Sequence, residues 1–255
     1  MFTNITKALG IDAFKTYTQI QGTIDNMDQM SDGHDIRSYS SSAREGLLSA
    51  GTVNVFDKND KRFIATVPKL ALVVVSSAFR KCLTANPDAE SINISEESVD
   101  DDAVAKLMKW VNDIISVSDA HLEVELTHAS KDNEAIAAIH IRHAAQYLGM
   151  EQYIEHLVTQ YKCHMHARIP TLKEAEIMER FSKLHQDDML EALAARLEYL
   201  RRTGRSNAGK YEYEKLLREN RKIAKVVKEN ERIAYSKYCF SCRWNEKNSL
   251  CSHQE

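Results

Sequence analysis

The chain has 255 residues, of which 43% are hydrophobic and 28% charged, enough apolar sequence to build a substantial folded core. Three prolines and eight glycines favour helices over a turn-rich all-β fold. The longest apolar run, residues 70–75, is far shorter than the roughly 18 residues of a membrane span. Three aspartates and the lack of a long apolar stretch among residues 1–30 argue against a signal peptide or mitochondrial presequence.

Charge and cysteine content indicate where the protein acts. Residues 201–255 hold 14 Lys and Arg against 7 Asp and Glu, whereas residues 1–200 hold 20 against 30. An acidic body with a basic tail suggests that the tail has its own partner or folds back on the body. Five cysteines, an odd number, argue against a disulfide framework. We therefore expect an intracellular protein of the cytoplasm or nucleus that makes no membrane contact.

The N-terminal third predicts a tail followed by a small sheet. Residues 1–45 are expected to be disordered or weakly helical, because residues 31–42 are rich in Ser, Asp and Gly. Residues 53–56 and 63–67 form a predicted β-hairpin. Apolar residues at helical spacing predict a helix over residues 70–83, with Leu72 and Phe79 in the core, and residues 91–94 alternate as a third strand.

Helices are predicted for most of the remaining chain. Asp100 caps the first of them, Gly149 supplies a left-handed C-terminal residue, and Thr171 with Glu174 forms a capping box. An irregular insert at residues 121–133 contains a short predicted strand at 122–126. The predicted helices cover residues 100–115, 134–148, 151–164, about 171–184, about 188–204 and 211–238.

This order of elements resembles one family. Residues 67–80 (VPKLALVVVSSAFR) resemble the start of a BTB/POZ domain, in which a strand is followed by a basic residue, a buried leucine and a Ser-x-x-Phe-Arg pattern. Residues 141–150 (IRHAAQYLGM) resemble the aliphatic–alanine–x–x–leucine–glycine helix near the end of that domain. Residues 168–172 resemble the C-terminal extensions of fungal-type BTB proteins. Two positions depart from the family pattern: Pro68 replaces a frequent histidine, and the helix of Trp110 lacks the usual Tyr-Thr-Gly ending.

The resemblance implies an α+β fold in which a small BTB/POZ-like sheet packs on helices, followed by extra α-helices and a long C-terminal helix. We divide the chain into a tail (residues 1–45), a BTB/POZ-like domain (46–166), a helical extension (167–204), a basic helix (205–238) and a Cys/His tail (239–255). The implied function is that of an adaptor or regulatory scaffold that binds proteins and forms a homodimer. Many BTB proteins recruit a cullin-type ubiquitin-ligase scaffold, which makes a cullin a candidate partner, although the sequence holds no clear cullin-contact motif. No phosphate-binding loop or nucleophile motif is present, so we do not expect an enzyme.

A metal site is suggested at the end of the chain. The predicted zinc ligands are Cys239, Cys242, Cys251 and His253, because a CxxC turn converges two thiolates on one ion. The alternative is a frayed tail with free thiols. One structural zinc ion is the only cofactor that the sequence suggests. Two weaker candidates are better explained structurally: His140 and His143 as a core-edge and an exposed histidine, and residues 163–166 (CHMH) as a helix end.

The predicted helix over residues 211–238 leaves a second function open. Leu216, Ile223 and Asn230 repeat at seven residues, a short seam that needs docking on the body or a dimer partner. Its Lys and Arg residues form either a solvated face or a contact to nucleic acid phosphates. The alternative function is therefore a nucleic-acid-associated regulator that uses this helix together with a zinc-binding tail.

Overall fold

The computed structural model describes residues 11–57, 62–117, 122–126, 131–183, 187–204, 210–236, 238–239 and 244–245. The protein is mixed α+β, as the sequence predicts, with eleven α-helices and five short strands among these residues. The α-helices are α1 (Ile11–Gln29), α2 (Ser41–Gly46), α3 (Lys69–Val75), α4 (Ser77–Ala85), α5 (Asp101–Ser116), α6 (Lys131–Leu148), α7 (Glu155–Met165), α8 (Leu172–Phe181), α9 (Asp188–Thr203), α10 (Lys210–Glu219) and α11 (Arg221–Ser236). The strands are β1 (Thr52–Phe56), β2 (Phe63–Pro68), β3 (Ser91–Asn93), β4 (Tyr238–Cys239) and β5 (Trp244–Asn245).

The chain forms two compact units. The first contains Met1–Thr127 and His140–Leu157, and the second contains His128–Ile139 and Val158–Glu255. The division differs from the predicted domain of residues 46–166, because the N-terminal residues belong to the first unit. Among the residues described, no helix combines the length and the apolar composition needed to cross a membrane.

A three-stranded sheet with the order β2-β1-β3 lies in the first unit. The predicted hairpin is confirmed: β1 pairs antiparallel with β2, with Val53 opposite Val67. β3 pairs parallel to β1 on its other side, with Val55 opposite Ile92. Val53 and Val55 are buried while the residues between and beside them are not, which is the alternation expected of a strand with one covered face.

The predicted helix over residues 70–83 is wrong in one respect, because it is two helices. α3 ends at Val75, Ser76 has extended backbone angles (φ −132°, ψ 119°), and α4 begins at Ser77. The Ser76 hydroxyl accepts a hydrogen bond from the backbone N–H of Phe79 at 3.1 Å, so Ser76 is the N-cap of α4. Leu72 and Phe79 are in the core as predicted, at 0% and 2% exposed.

Residues 11–45 are folded into the first unit, whereas a disordered or weakly helical tail is expected of residues 1–45; residues 1–10 lie outside the described residues. α1 packs against α3 and α4, and buries Ile20 and Met27 completely. Residues 36–38 form a 3₁₀ turn whose Ile36 is also fully buried. Arg44 of α2 is buried too, and its Nη1 donates to the carbonyl of Ile114 at 2.7 Å. The weak amphipathic pattern is sufficient here because its few apolar side chains are contacted by helices distant in sequence.

The helices that follow the sheet begin and end at the predicted caps. The Asp100 carboxylate accepts from the backbone N–H of Ala103 at 2.9 Å and opens α5. α6 is closed by Gly149, with φ +68°. Residues 122–126 form no strand, in contrast to the prediction. The indole Nε1 of Trp110 donates to the carbonyl of Leu122 at 2.8 Å, so this segment is fixed by side chains instead of a sheet ladder.

In the second unit, α8 and α9 begin after the predicted N-cap residues. The predicted long C-terminal helix is divided into α10 and α11. Thr171 and Glu174 form the complete capping box of α8. The helix expected over residues 211–238 is interrupted at Asn220, which is buried and donates from its side chain to the carbonyl of Leu216 at 2.8 Å. α11 packs against α9 through Ile223 and Val227, both 0% exposed, so the seam docks on the same chain. β4 and β5 pair antiparallel as two-residue strands.

Candidate interaction site

The segment that resembles the BTB/POZ start has a physical role for each of its characteristic residues. Lys69 is buried, and its Nζ donates to the carbonyl of Pro87 at 2.8 Å. Ser76 caps α4, and Arg80 donates from Nε to the carbonyl of Val73 at 2.7 Å, which satisfies the C-terminal end of α3. Lys69, Ser76 and Arg80 of this segment therefore complete backbone hydrogen bonds of the surrounding structure.

The two segments that carry the resemblance meet at one point. The Ser76 hydroxyl donates to the carbonyl of Leu148 at 2.5 Å, directly before the left-handed Gly149. A Cβ added to Gly149 would lie under 3.0 Å from the Ser77 hydroxyl and 3.1 Å from its Cβ. Glycine is therefore required here both by the backbone angle and by the close approach of α4.

The loop after β3 is attached to α6 by two hydrogen bonds. The hydroxyls of Ser95 and Tyr147 lie 2.8 Å apart, and the Ser98 hydroxyl lies 3.0 Å from Nε2 of His143. Ser98 also donates to the carboxylate of Glu96 at 2.8 Å. Ser98 therefore contacts both Glu96 of its own loop and His143 of α6. These contacts fix the loop against α6.

Tyr153 anchors the N-terminal turn of the first unit. Its hydroxyl donates to the carbonyl of His34 at 2.9 Å and accepts from the backbone N–H of Ile36 at 3.3 Å. The centroids of the Tyr153 and Trp110 rings are 4.7 Å apart. The Arg37 guanidinium lies over the Tyr153 ring, 5.2 Å from its centroid. Burial raises the pKa of Tyr153 from 10.0 to about 12. Sequence reasoning missed this residue, because its partners lie more than a hundred residues away.

Large apolar side chains are exposed at several positions of the first unit. The most exposed is Phe63, at 54%, on the edge strand β2 and in edge-to-face contact with Phe56. Leu48 and Met30 are also about half exposed, and Val117 is 41% exposed. Phe63 is thus an aromatic side chain left in water on an edge strand.

In the second unit, α8 and α11 satisfy each other's ends. The Glu179 carboxylate of α8 accepts from the backbone N–H groups of Lys222 and Ile223 at 2.9 and 3.1 Å, which caps the start of α11. In return, Nζ of Lys222 donates to the carbonyls of Glu179 and Ser182 at 2.7 and 2.8 Å, where α8 ends. A carboxylate at a helix N-terminus and an ammonium at a C-terminus also match the helix dipoles.

A buried ion pair holds the turn before α8. Glu174 is fully buried, accepts from the Tyr161 hydroxyl at 2.6 Å and pairs with Arg168. Arg196 of α9 donates from Nε to the backbone carbonyl of Arg168 at 2.9 Å. These contacts connect α7, α8 and α9 through polar groups, and each charged group has a partner.

The predicted zinc ligands cannot be placed together. Cys242, Cys251 and His253 lie outside the described residues, and for Cys239 only the backbone of β4 is described. Of the weaker candidates, Cys163, His164 and His166 are exposed near the end of α7, and His140 and His143 are half-buried on α6. Within the described ranges, no three His, Cys, Asp or Glu side chains converge to hold a metal ion.

Comparison with protein-family models, with curated proteins and with solved structures returned no match for this chain.

Proposed function

We propose that this protein is a protein–protein interaction module of the BTB/POZ type, which self-associates and acts as an adaptor or regulatory scaffold. The observation that carries the proposal is the order of elements in the first unit. A hairpin, a helical segment, a third strand and then α5 and α6 follow one another in the order that the resemblance implies, although the helical segment is divided into α3 and α4. The hydrogen bond from Ser76 to Leu148 supports it further, since it joins the two segments that carry the resemblance.

Self-association uses the first unit. Phe63 is the most exposed large apolar residue among those described, and it lies on an edge strand. Leu48 and Val117 are further exposed apolar residues between positions 45 and 120. Burying such side chains against a second copy contributes about 25 cal/mol for each Å² of apolar surface covered. The protein acts by presenting this surface, and no bond is made or broken.

The test is sedimentation equilibrium of the full chain at concentrations on the order of tens of micromolar. The full chain is needed because residues before 45, including Ile20 and Arg44, are part of the core. We expect a dimer, and we expect Phe63→Asp to weaken it by about tenfold or more, because a charge replaces an apolar contact. Leu172→Asp is the matched control, since Leu172 is 50% exposed but lies in the second unit. A monomer at these concentrations would contradict the proposal, and so would equal effects of the two substitutions.

A further inference from the structure

A groove on the outer side of α11 carries an unusual concentration of cations. Its volume is about 510 Å³, and its basic lining residues are Arg221, Lys225, Lys228 and Arg232. Beside them lie two apolar residues, Leu217 of α10 and Ala224 of α11. One carboxylate, that of Glu229, also lines the groove and pairs with Arg232 at 2.8 Å.

Three of these four cations have no carboxylate partner among the described residues. Arg221, Lys225 and Lys228 are exposed and form no ion pair there. Other charges of the same helix are engaged: Lys222 binds the end of α8, and Glu231 pairs with Arg201 of α9. The charges on the inner side of α11 are therefore paired within the second unit, whereas three of the four cations that line the groove are not.

The cations form one straight row. They follow one another at intervals of four, three and four residues, which keeps them within about 60° of one another around a helix. Over eleven residues the row is about 16 Å long, or three helical turns. Leu217 and Ala224, both half-buried, form an apolar strip along one side of the row.

We propose that this groove binds an acidic amphipathic helix of a protein partner. A helix with Glu or Asp at the same four-three-four spacing places one carboxylate near each cation, and its apolar residues cover Leu217 and Ala224. Such a partner uses both parts of the groove. The inference goes beyond self-association, because it concerns the second unit and a different surface.

Three observations favour a protein over nucleic acid. Among the side chains that the structure describes, none of those lining the groove is aromatic, so this lining offers no platform for stacking bases. Residues 1–200 carry 20 basic and 30 acidic side chains, so the rest of the chain does not attract a polyanion. A phosphate backbone would also leave the apolar strip without a complementary contact.

The test measures fluorescence anisotropy of a labelled peptide mixed with the full chain. The probe is a synthetic helix of about 20 residues, with Glu at the four-three-four spacing, Leu beside each Glu, and Ala elsewhere. A second peptide has Gln in place of each Glu, and a third probe is a labelled DNA duplex of about 20 base pairs. The decisive variant is Lys225→Glu with Lys228→Glu. Its matched control is Lys215→Glu with Arg218→Glu, two exposed cations at the same three-residue spacing on α10, outside the groove.

We expect the acidic peptide to bind the wild-type chain, and the Gln peptide to bind about tenfold more weakly or worse. The Lys225/Lys228 variant should lose about tenfold or more of that affinity, and the Lys215/Arg218 variant should lose less than about threefold. The proposal is overturned if the acidic peptide does not bind, if both double variants lose affinity equally, or if the duplex binds more tightly than the peptide. A negative result for peptide binding is distinguishable from a negative result for self-association, because these variants leave Phe63 and the first unit unchanged.

Discussion

Replacing Gly149 with alanine tests the junction on which the resemblance and the fold both depend. Gly149 has φ +68°, and Gly51, in the same unit, has φ +74°. Alanine in such a left-handed conformation costs about 1–2 kcal/mol at either position. The surroundings differ: a Cβ on Gly51 meets nothing within 4 Å, whereas one on Gly149 collides with Ser77.

The collision with Ser77 adds a second destabilising contribution to the alanine variant of Gly149, but not to that of Gly51. Rotating the exposed Ser77 hydroxyl relieves part of it, but the Ser77 Cβ at 3.1 Å and backbone nitrogen at 3.4 Å cannot rotate away. Overpacking of this kind costs about 1–3 kcal/mol. We therefore expect Gly149→Ala to lower the free energy of unfolding by about 2–5 kcal/mol, and Gly51→Ala by about 1–2 kcal/mol.

Urea unfolding of the two variants measures this difference directly. Adding Ser77→Ala to Gly149→Ala should recover part of the excess, because it removes the hydroxyl and keeps the Cβ. Equal destabilisation by Gly149→Ala and Gly51→Ala would refute the reasoning, since only the backbone angle would then matter. A double variant no more stable than Gly149→Ala alone would place the strain elsewhere than at the Ser77 hydroxyl.

Three further predictions concern charges and hydroxyls. Glu179→Gln should destabilise the second unit by about 1 kcal/mol, because it weakens the cap of α11, whereas the exposed Glu176→Gln should change urea unfolding by less than about 0.5 kcal/mol. Burial raises the pKa of Tyr153 from 10.0 to about 12, so unfolded tyrosine ionises first. The free energy of unfolding should therefore fall by about 2–3 kcal/mol as pH rises from 10 to 12, and this fall should be smaller in Tyr153→Phe. The same fall in the variant and in the wild-type chain would contradict the raised pKa of Tyr153. The Tyr213 hydroxyl is buried and makes no hydrogen bond within the described residues, so Tyr213→Phe should leave urea stability unchanged or raise it by about 1 kcal/mol, and a loss would reveal a partner.

Local signals in the sequence predicted most of the elements. The Asp100 cap, the left-handed Gly149 and the Thr171–Glu174 box each involve residues within a few positions of one another. The alternation of Val53 and Val55 likewise specifies which face of β1 is covered. These features depend on backbone hydrogen bonds and short-range periodicity, which a single sequence displays directly.

The predictions are wrong where residues distant in sequence form the hydrogen bonds of the backbone. The Ser-, Asp- and Gly-rich residues 31–42 indicate disorder by their composition, but the carbonyl of His34 is bound by Gln152 and Tyr153. The break of the C-terminal helix at Asn220 has no proline or glycine to mark it, and the N–H groups that follow are capped by Glu179, more than 40 residues earlier. Ser76 divides α3 from α4 because its hydroxyl has partners in both α4 and α6. No local pattern carries that information.

The contact between Ile36 and Tyr153 also constrains the order in which the protein can fold during its synthesis. The two residues are 117 positions apart in the chain. At about 5–20 residues per second, a ribosome needs roughly 6–24 seconds to add the intervening sequence. Until then Ile20, Met27 and Ile36, all fully buried in the folded protein, lack the anchor that holds the N-terminal turn. During synthesis, residues 20–36 are thus an apolar segment without its partner, the kind of segment that chaperones bind.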